Sequence, residues 1–261
     1  MRSGAVMAAT GWPDCARSLK GVVLDMCGVL YDSGAGDGEA IPGSIEAVQR
    51  LKQSDLQLRF CTNETQASRE RFVAKLGRLG FDIRQRTAAP PAGLRRSVTG
   101  VRLGGSDEPK LCGDRRRSGE VFLPEPERCF SGPGGLDKPL LFSLGQGKYY
   151  KETDGLKLDV GVYMKALEYA CDVKAEVIGK PSQTFFQSVL GDMGIQPHEA
   201  LMIGDDLVND VGGAQSCGMM GVQVRTGKYR PSDEKHPSVK ADGTVDNLSQ
   251  AVDLILHQRG Q

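Results

Sequence analysis

VVLDMCGVLYD, residues 22–32, opens with two valines and a leucine, turns acidic at Asp25 and bends at Gly28. A short apolar run with β-branched residues, closed by a turn, reads as a buried strand. Asp25 therefore stands at the carboxyl end of that strand. Outward from it, SIEAVQRLKQ (44–53) places Ile45, Val48 and Leu51 on one helical face behind Ser44, a candidate cap. LQLRFCTN (56–63) is a second strand, and SRERFVAKLGRLG (68–80) puts Phe72, Leu76 and Leu79 at helical spacing with Gly80 placed to stop the helix. The alternation returns near the other end. AEVIGK (175–180) is a strand, SQTFFQSVLGDMG (182–194) a helix with Ser182 as its candidate cap, ALMIGDD (200–206) and GVQV (221–224) are strands, and NLSQAVDLILHQ (247–258) is the closing helix. Strands alternating with helices predict an α/β fold built on a doubly wound parallel sheet, to which both halves contribute. Such sheets bind ligands beyond the carboxyl ends of their strands, where Asp25, Thr62, Lys180 and Asp205 all stand.

Between the halves, PLLFSL (139–144) reads as a strand, GQGKYYKETDG (145–155) as a polar loop, and VGVYMKALEYACDV (160–173) as a helix carrying Val160, Tyr163, Met164, Leu167 and Cys171 on one stripe. From Arg84 to about Asp137 no period of 2 or 3.6 is sustained. Proline and glycine recur there, and Arg115, Arg116 and Arg117 stand together, the composition of a disordered linker. The expected division is a discontinuous core of residues 1–84 and 176–261 with an inserted α/β cap at 85–175, degraded in pattern over about 84–137.

With 261 residues the chain exceeds one average domain of roughly 150, which suits a core plus a second lobe. Lysine plus arginine (33) balances aspartate plus glutamate (33), so no long-range field concentrates nucleic acid or an anionic membrane. Apolar runs fall short of the roughly 20 residues that span a bilayer, and the N-terminal twenty residues lack a signal peptide's apolar stretch. Seven cysteines are scattered without a C-x-x-C pair, beside three histidines, so neither a disulfide framework nor a zinc cluster is indicated. The reducing cytoplasm is the expected compartment.

Four short pieces stand in order: DMCGVLYD (25–32), CTNE (61–64), GKPS (179–182) and GDDLVND (204–210). Each alone is an ordinary turn or cap. As an ordered set at strand ends they resemble the four motifs of the haloacid dehalogenase superfamily, with the larger cap inserted between the second and third. The resemblance covers about Gly21 to Ile83 and Lys138 to Leu256 and fails from about Arg84 to Asp137. A shifted reading frame or misread exon would leave that pattern, and so would a genuine insertion. The resemblance implies a phosphatase whose nucleophile is Asp25, working through an aspartyl-phosphate that splits one hard displacement into two easier ones. It implies Mg2+ as cofactor, held by Asp25, Asp205 and the main-chain carbonyl of Cys27, with Asp206 and Asp210 orienting the metal site from nearby; hard oxygen ligands suit that ion. Asp25, Met26, Cys27, Thr62, Asn63 and Lys180 are the implied substrate contacts, Thr62 and Asn63 meeting nonbridging oxygens while Lys180 neutralises charge. Lys180→Ala is expected to lose turnover and keep its melting temperature. Family likeness also suggests a homodimer in cytoplasm and nucleus.

Most members place a second Asp two residues after the nucleophile, to protonate the leaving oxygen. Here that position is Cys27, and a thiol of ordinary pKa about 8.5 serves poorly. Leaving groups that need little acid help are therefore favoured: phosphate departing from inorganic pyrophosphate, or the nitrogen of a phosphoramidate. The resemblance implies phospholysine and phosphohistidine as those phosphoramidates, including phosphorylated protein side chains. Cys27 can equally be a small buried side chain facing the sheet. The competing readings are a small-metabolite phosphomonoesterase of the pyridoxal phosphate or phosphoglycolate type, and a non-catalytic binding or scaffold protein with a damaged cap.

Overall fold

A computed structural model describes residues 12–63, 69–83, 101–104, 110–112 and 140–260, and the side chains of these except residues 69, 101–104, 110–112 and 140. In chain order, β1 (Gly21–Leu24) is followed by the two-residue strands β2 (Tyr31–Asp32) and β3 (Glu39–Ala40), then α1 (Ser44–Gln53), β4 (Gln57–Phe60) and α2 (Arg69–Arg78). Next come β5 (Val101–Gly104), β6 (Lys110–Cys112), β7 (Leu140–Ser143), the hairpin of β8 (Tyr149–Glu152) and β9 (Gly155–Leu158), α3 (Val160–Cys171) and β10 (Ala175–Val177). The chain continues through α4 (Gln183–Met193), β11 (Ala200–Gly204), a π-helical segment (Leu207–Gly212) running into α5 (Gly213–Ser216), β12 (Met220–Val224), β13 (Gly243–Val245) and α6 (Leu248–Arg259).

The central sheet is parallel throughout, in the order β13-β12-β11-β1-β4. β1 and β11 are buried along their whole length, as strands covered on both faces must be. Alternation divides their side chains. Val22, Leu24, Leu201 and Ile203 join Val48 and Leu51 of α1 and Val252 and Ile255 of α6, while Val23 and Met202 meet Phe186 and Leu190 of α4 on the opposite face. Each fully buried aliphatic side chain contributes about 1.5–3 kcal/mol, and truncating Ile203 to Ala would cost about 2–5 kcal/mol. Register carries function: Leu24 pairs with Ile203 and with Phe60, so Asp25, Gly204 and Cys61 leave the sheet level with one another.

A second sheet has the order β10-β7-β5-β6. Here the structure departs from the sequence reading. AEVIGK does form a strand, yet β10 pairs in parallel with β7 (Ala175 with Leu141) and belongs to this sheet, not to the central one. Two strands, β5 and β6, also lie inside the stretch read as linker; at four and three residues they are too short for a period of two to register. The arginine run 115–117 lies outside the described residues. The loop 145–155 contains most of the β8–β9 hairpin, whose two-residue turn is Thr153-Asp154; the Asp154-Gly155 dipeptide, with Gly155 opening β9 at φ +135°, was a turn signal for it. Ser44 does not cap α1: Gly43, at φ +79°, occupies that position, and the Ser44 hydroxyl instead donates to the Leu30 carbonyl at 2.8 Å. Among the described residues, no helix is long and apolar enough to cross a membrane.

Candidate active site

β1 ends in a tight turn that fixes Asp25. The Asp25 N–H donates to the Ile203 carbonyl (2.9 Å), the Leu30 N–H to Met26 O (2.8 Å) and the Gly28 N–H to Tyr31 O (2.8 Å), with Gly28 at φ +83°. From β11 comes Asp205, whose Oδ2 lies in a slot between two glycines. A Cβ on either Gly28 or Gly227 would stand 2.1 Å from that oxygen. The Lys228 N–H donates to the same Oδ2 at 2.9 Å, while Asp205 Oδ1 is buried without a hydrogen-bond partner among the described residues.

Asp206 caps the π-helical segment, accepting from the N–H groups of Val208 (3.0 Å) and Asn209 (2.9 Å), and its Oδ2 faces Lys228 Nζ at 3.2 Å. One turn on, Asp210 Oδ2 accepts from the Asp206 N–H (3.1 Å), packed so closely that a Cβ on Gly204 would meet Asp210 Cβ at 2.3 Å. Lys180 closes the arrangement, its Nζ 2.5 Å from Asp25 Oδ1 and 2.7 Å from Asp210 Oδ1. These groups are nearly sealed from solvent: Asp25 is 6%, Lys180 4%, Asp205 2% and Asp210 1% exposed.

Burial governs the electrostatics. It pushes Asp205 well above the usual carboxylate range, a rise that Lys228 opposes and Asp25 and Asp210 reinforce. Burial likewise raises Asp210, to about 6, against the pull of Lys180. For Lys180 and Lys228 desolvation acts downward, but the surrounding aspartates outweigh it and both ammoniums are held firmly protonated. Burial would raise Asp206 too, yet Lys228 and the hydrogen bonds of Asn209 bring it below the ordinary value.

Asp25, Asp205 and Asp210 each offer one oxygen, all within 4.8 Å of one another. With Asp206 they make four aspartates against two lysines, an excess of two negative charges when all are ionised. The unpartnered Asp205 Oδ1 and the all-oxygen donor set fit a hard divalent cation such as Mg2+. Asp210, read from the sequence as an orienting neighbour, thus lies in the same cluster as Asp25 and Asp205.

The remaining expected residues separate. Thr62 and Asn63 follow β4 at the same end of the sheet, half-buried. Asn63 spends both ends of its amide on the Lys180 main chain, accepting from N (2.9 Å) and donating to O (3.0 Å). The Met26 side chain packs in the core. Cys27 Sγ lies 3.2 Å from Ser33 Oγ, and burial pushes its thiol up to about 12. The β8–β9 hairpin comes down on this end: Thr153 N donates to Ser33 O (2.7 Å), Lys151 pairs with Asp32 (3.2 Å) and Arg230 stacks over Tyr149 at 4.5 Å. Asp159, the cap of α3, feels Lys228, Asp206 and Lys180; burial raises it. Sequence reasoning gave Gly227 and Lys228 no role, although their place after β12, at the carboxyl end of a parallel strand, was a usable signal.

A family model described as haloacid dehalogenase-like hydrolase matches residues 22–98, and one described as HAD-hydrolase-like matches residues 177–251. The chain is 59% identical to the phospholysine phosphohistidine inorganic pyrophosphate phosphatase of Danio rerio, over 97% of this chain and 100% of that protein. Among solved structures it is similar to a 4-nitrophenylphosphatase from Thermotoga maritima (TM-score 0.69, 20% identity, 92% of this chain and 98% of that one). It is also similar to a glycerol phosphate phosphatase from Mycobacterium tuberculosis in complex with magnesium (TM-score 0.64, 18% identity, 91% and 77%). These two likenesses show the fold. The strand-end aspartates, the buried lysine and a relative matched along its entire length place the chain: it belongs to the haloacid dehalogenase-like hydrolases, in the family of the phospholysine phosphohistidine inorganic pyrophosphate phosphatases.

Proposed function

We propose that the protein is a Mg2+-dependent phosphatase that hydrolyses phosphoramidates, phospholysine and phosphohistidine among them, and inorganic pyrophosphate, with Asp25 as nucleophile. The carrying observation is Lys180 buried between Asp25 and Asp210 beside the unpartnered Asp205 Oδ1. The name of the 59% identical relative supports the substrate class. Asp25, Asp205 and Asp210, with the Cys27 carbonyl, are the groups that would hold Mg2+. When bound, that ion supplies positive charge against the phosphoryl oxygens.

The chain's own residues do the rest. The Asp25 carboxylate attacks phosphorus, an O–P bond forms, and the P–N or P–O bond to the leaving group breaks with its electron pair going to nitrogen or oxygen. Water then cleaves the aspartyl-phosphate, releasing phosphate and restoring Asp25. Lys180, whose Nζ donates to Asp25 Oδ1 at 2.5 Å, orients the nucleophile and offsets the charge that gathers at phosphorus. No carboxylic acid stands at position 27, and the buried Cys27 thiol, hydrogen-bonded to Ser33, cannot replace one. Leaving groups that depart without acid help are therefore preferred over alkoxides. Asp25→Asn should abolish Mg2+-dependent phosphate release from pyrophosphate and phospholysine while the protein stays folded; release at a wild-type rate would refute the assignment.

A further inference from the structure

Asn63 stands where three segments converge. Its Oδ1 accepts from the Lys180 N–H and its Nδ2 donates to the Lys180 carbonyl, at 2.9 and 3.0 Å. An amide has one accepting and one donating end, so this pair fixes its orientation; turned over, it would set donor against donor and acceptor against acceptor. Glycines close around it. A Cβ on Gly145, beyond β7, would lie 2.6 Å from Asn63 Nδ2, and one on Gly179, beyond β10, 2.6 Å from Oδ1 and 1.9 Å from the Leu144 carbonyl. The loop after β4 in the central sheet and the loops after β7 and β10 in the second sheet thus meet on one amide.

We propose that the Asn63 side chain is a positioning residue: it clamps the Lys180 main chain so that the ammonium falls between Asp25 and Asp210, and it does not itself hold the phosphoryl group. A lysine stem is long and rotatable, and two carboxylates at 2.5 and 2.7 Å are met together only when its Cα is fixed. The clamp supplies that fixity from the residue next to Thr62, and through Gly145 and Gly179 it ties Lys180 to the second sheet. The inference rests on the reading of Asp25 and Lys180 as the catalytic pair.

A double-mutant cycle of Asn63→Ala and Lys180→Met tests it, read as kcat for pyrophosphate at saturating Mg2+ and as calorimetric affinity for inorganic phosphate. Asn63→Ala is expected to lower kcat roughly 30- to 100-fold, the scale of an ångström-sized misplacement, with phosphate affinity changed less than about threefold. In the Lys180→Met background the same change should cost less than about twofold, because the residue it acts through is gone. Asn63→Asp, which keeps the acceptor for Lys180 N and loses the donor to Lys180 O, should fall between, and it carries the test if the alanine variant does not fold. Losses that multiply across the cycle, or a loss that falls on KM and phosphate affinity, would overturn the clamp. Full turnover in Lys180→Met alone would instead overturn the underlying catalytic pair.

Discussion

Replacing Lys180 with methionine keeps most of the stem and removes the charge from the middle of a buried acidic cluster. The ammonium lies within 2.7 Å of two carboxylates, and all three side chains are at most 8% exposed. At an effective dielectric near 20, each contact at that distance is worth about 6 kcal/mol before desolvation offsets most of it. Breaking a buried pair by deleting one partner costs about 3–5 kcal/mol, because the surviving carboxylates are left uncompensated. At roughly 2–4 °C per kcal/mol, the variant should melt about 6–20 °C lower in EDTA. The expectation that this position can lose its lysine at constant melting temperature thus gives way once its burial is known. Mg2+ should return part of the loss, since a cation in the same cluster meets the same oxygens. Turnover should fall by about 10²–10³ even at saturating Mg2+, the usual effect of removing one charge-stabilising group. Paired melts with and without Mg2+, beside a phosphate-release assay, read all three effects. A metal-free melting point within about 2 °C of wild type, at a turnover within about tenfold, would show that Lys180 neither holds the cluster together nor serves the reaction.

Three other substitutions probe the same cluster. Asp210 has a folded pKa of about 6 against an ordinary 3.8, so its protonated form favours folding; that stability is fully present below 3.8 and lost as pH rises through 6. The loss amounts to about 3 kcal/mol. Denaturant melts in EDTA should therefore show wild type gaining about that much on Asp210→Asn between pH ~7 and pH ~3.5, and a pH-independent difference would contradict the shift. Gly227→Ala puts a Cβ 2.1 Å from Asp205 Oδ2 at a φ of +61°, and calorimetry should find Mg2+ bound about 10- to 100-fold more weakly; unchanged affinity would show that the slot does not orient Asp205. Cys27→Asp supplies the missing carboxylic acid and should raise hydrolysis of alkyl phosphate esters at least about tenfold relative to pyrophosphate, where an unaltered ratio would remove Cys27 from the selectivity.

Much of the central sheet was legible because its strands are short apolar runs with turns after them, and Asp25 and Asp205 could be found from their place at strand ends. Pattern could not say which sheet a strand joins. AEV has the same local signal whether it pairs with β11 or β7, and only the long-range register assigns it to the latter. Hydrogen bonds between backbone groups leave no periodic trace in a three-residue strand, which hid β6. Lys228 escaped because it lies outside the four motifs and joins the cluster only through the fold, its backbone N–H reaching Asp205 and its ammonium Asp206. Asn63 was placed by likeness to a phosphate-binding pair, and only the folded chain shows its amide turned toward Lys180. Ser44 looked like a cap because serine often is one, but the left-handed Gly43 took the position and freed the hydroxyl for Leu30.

Substrate choice is where the missing acid at position 27 has its clearest consequence. It is measured as parallel turnover of pyrophosphate, phospholysine and pyridoxal phosphate by the purified protein with Mg2+. Hydrolysis of pyrophosphate and phospholysine should outpace that of the ester, and all three should cease in Asp25→Asn. Faster hydrolysis of pyridoxal phosphate would contradict the leaving-group argument, and turnover that survives the loss of Asp25 would contradict the nucleophile.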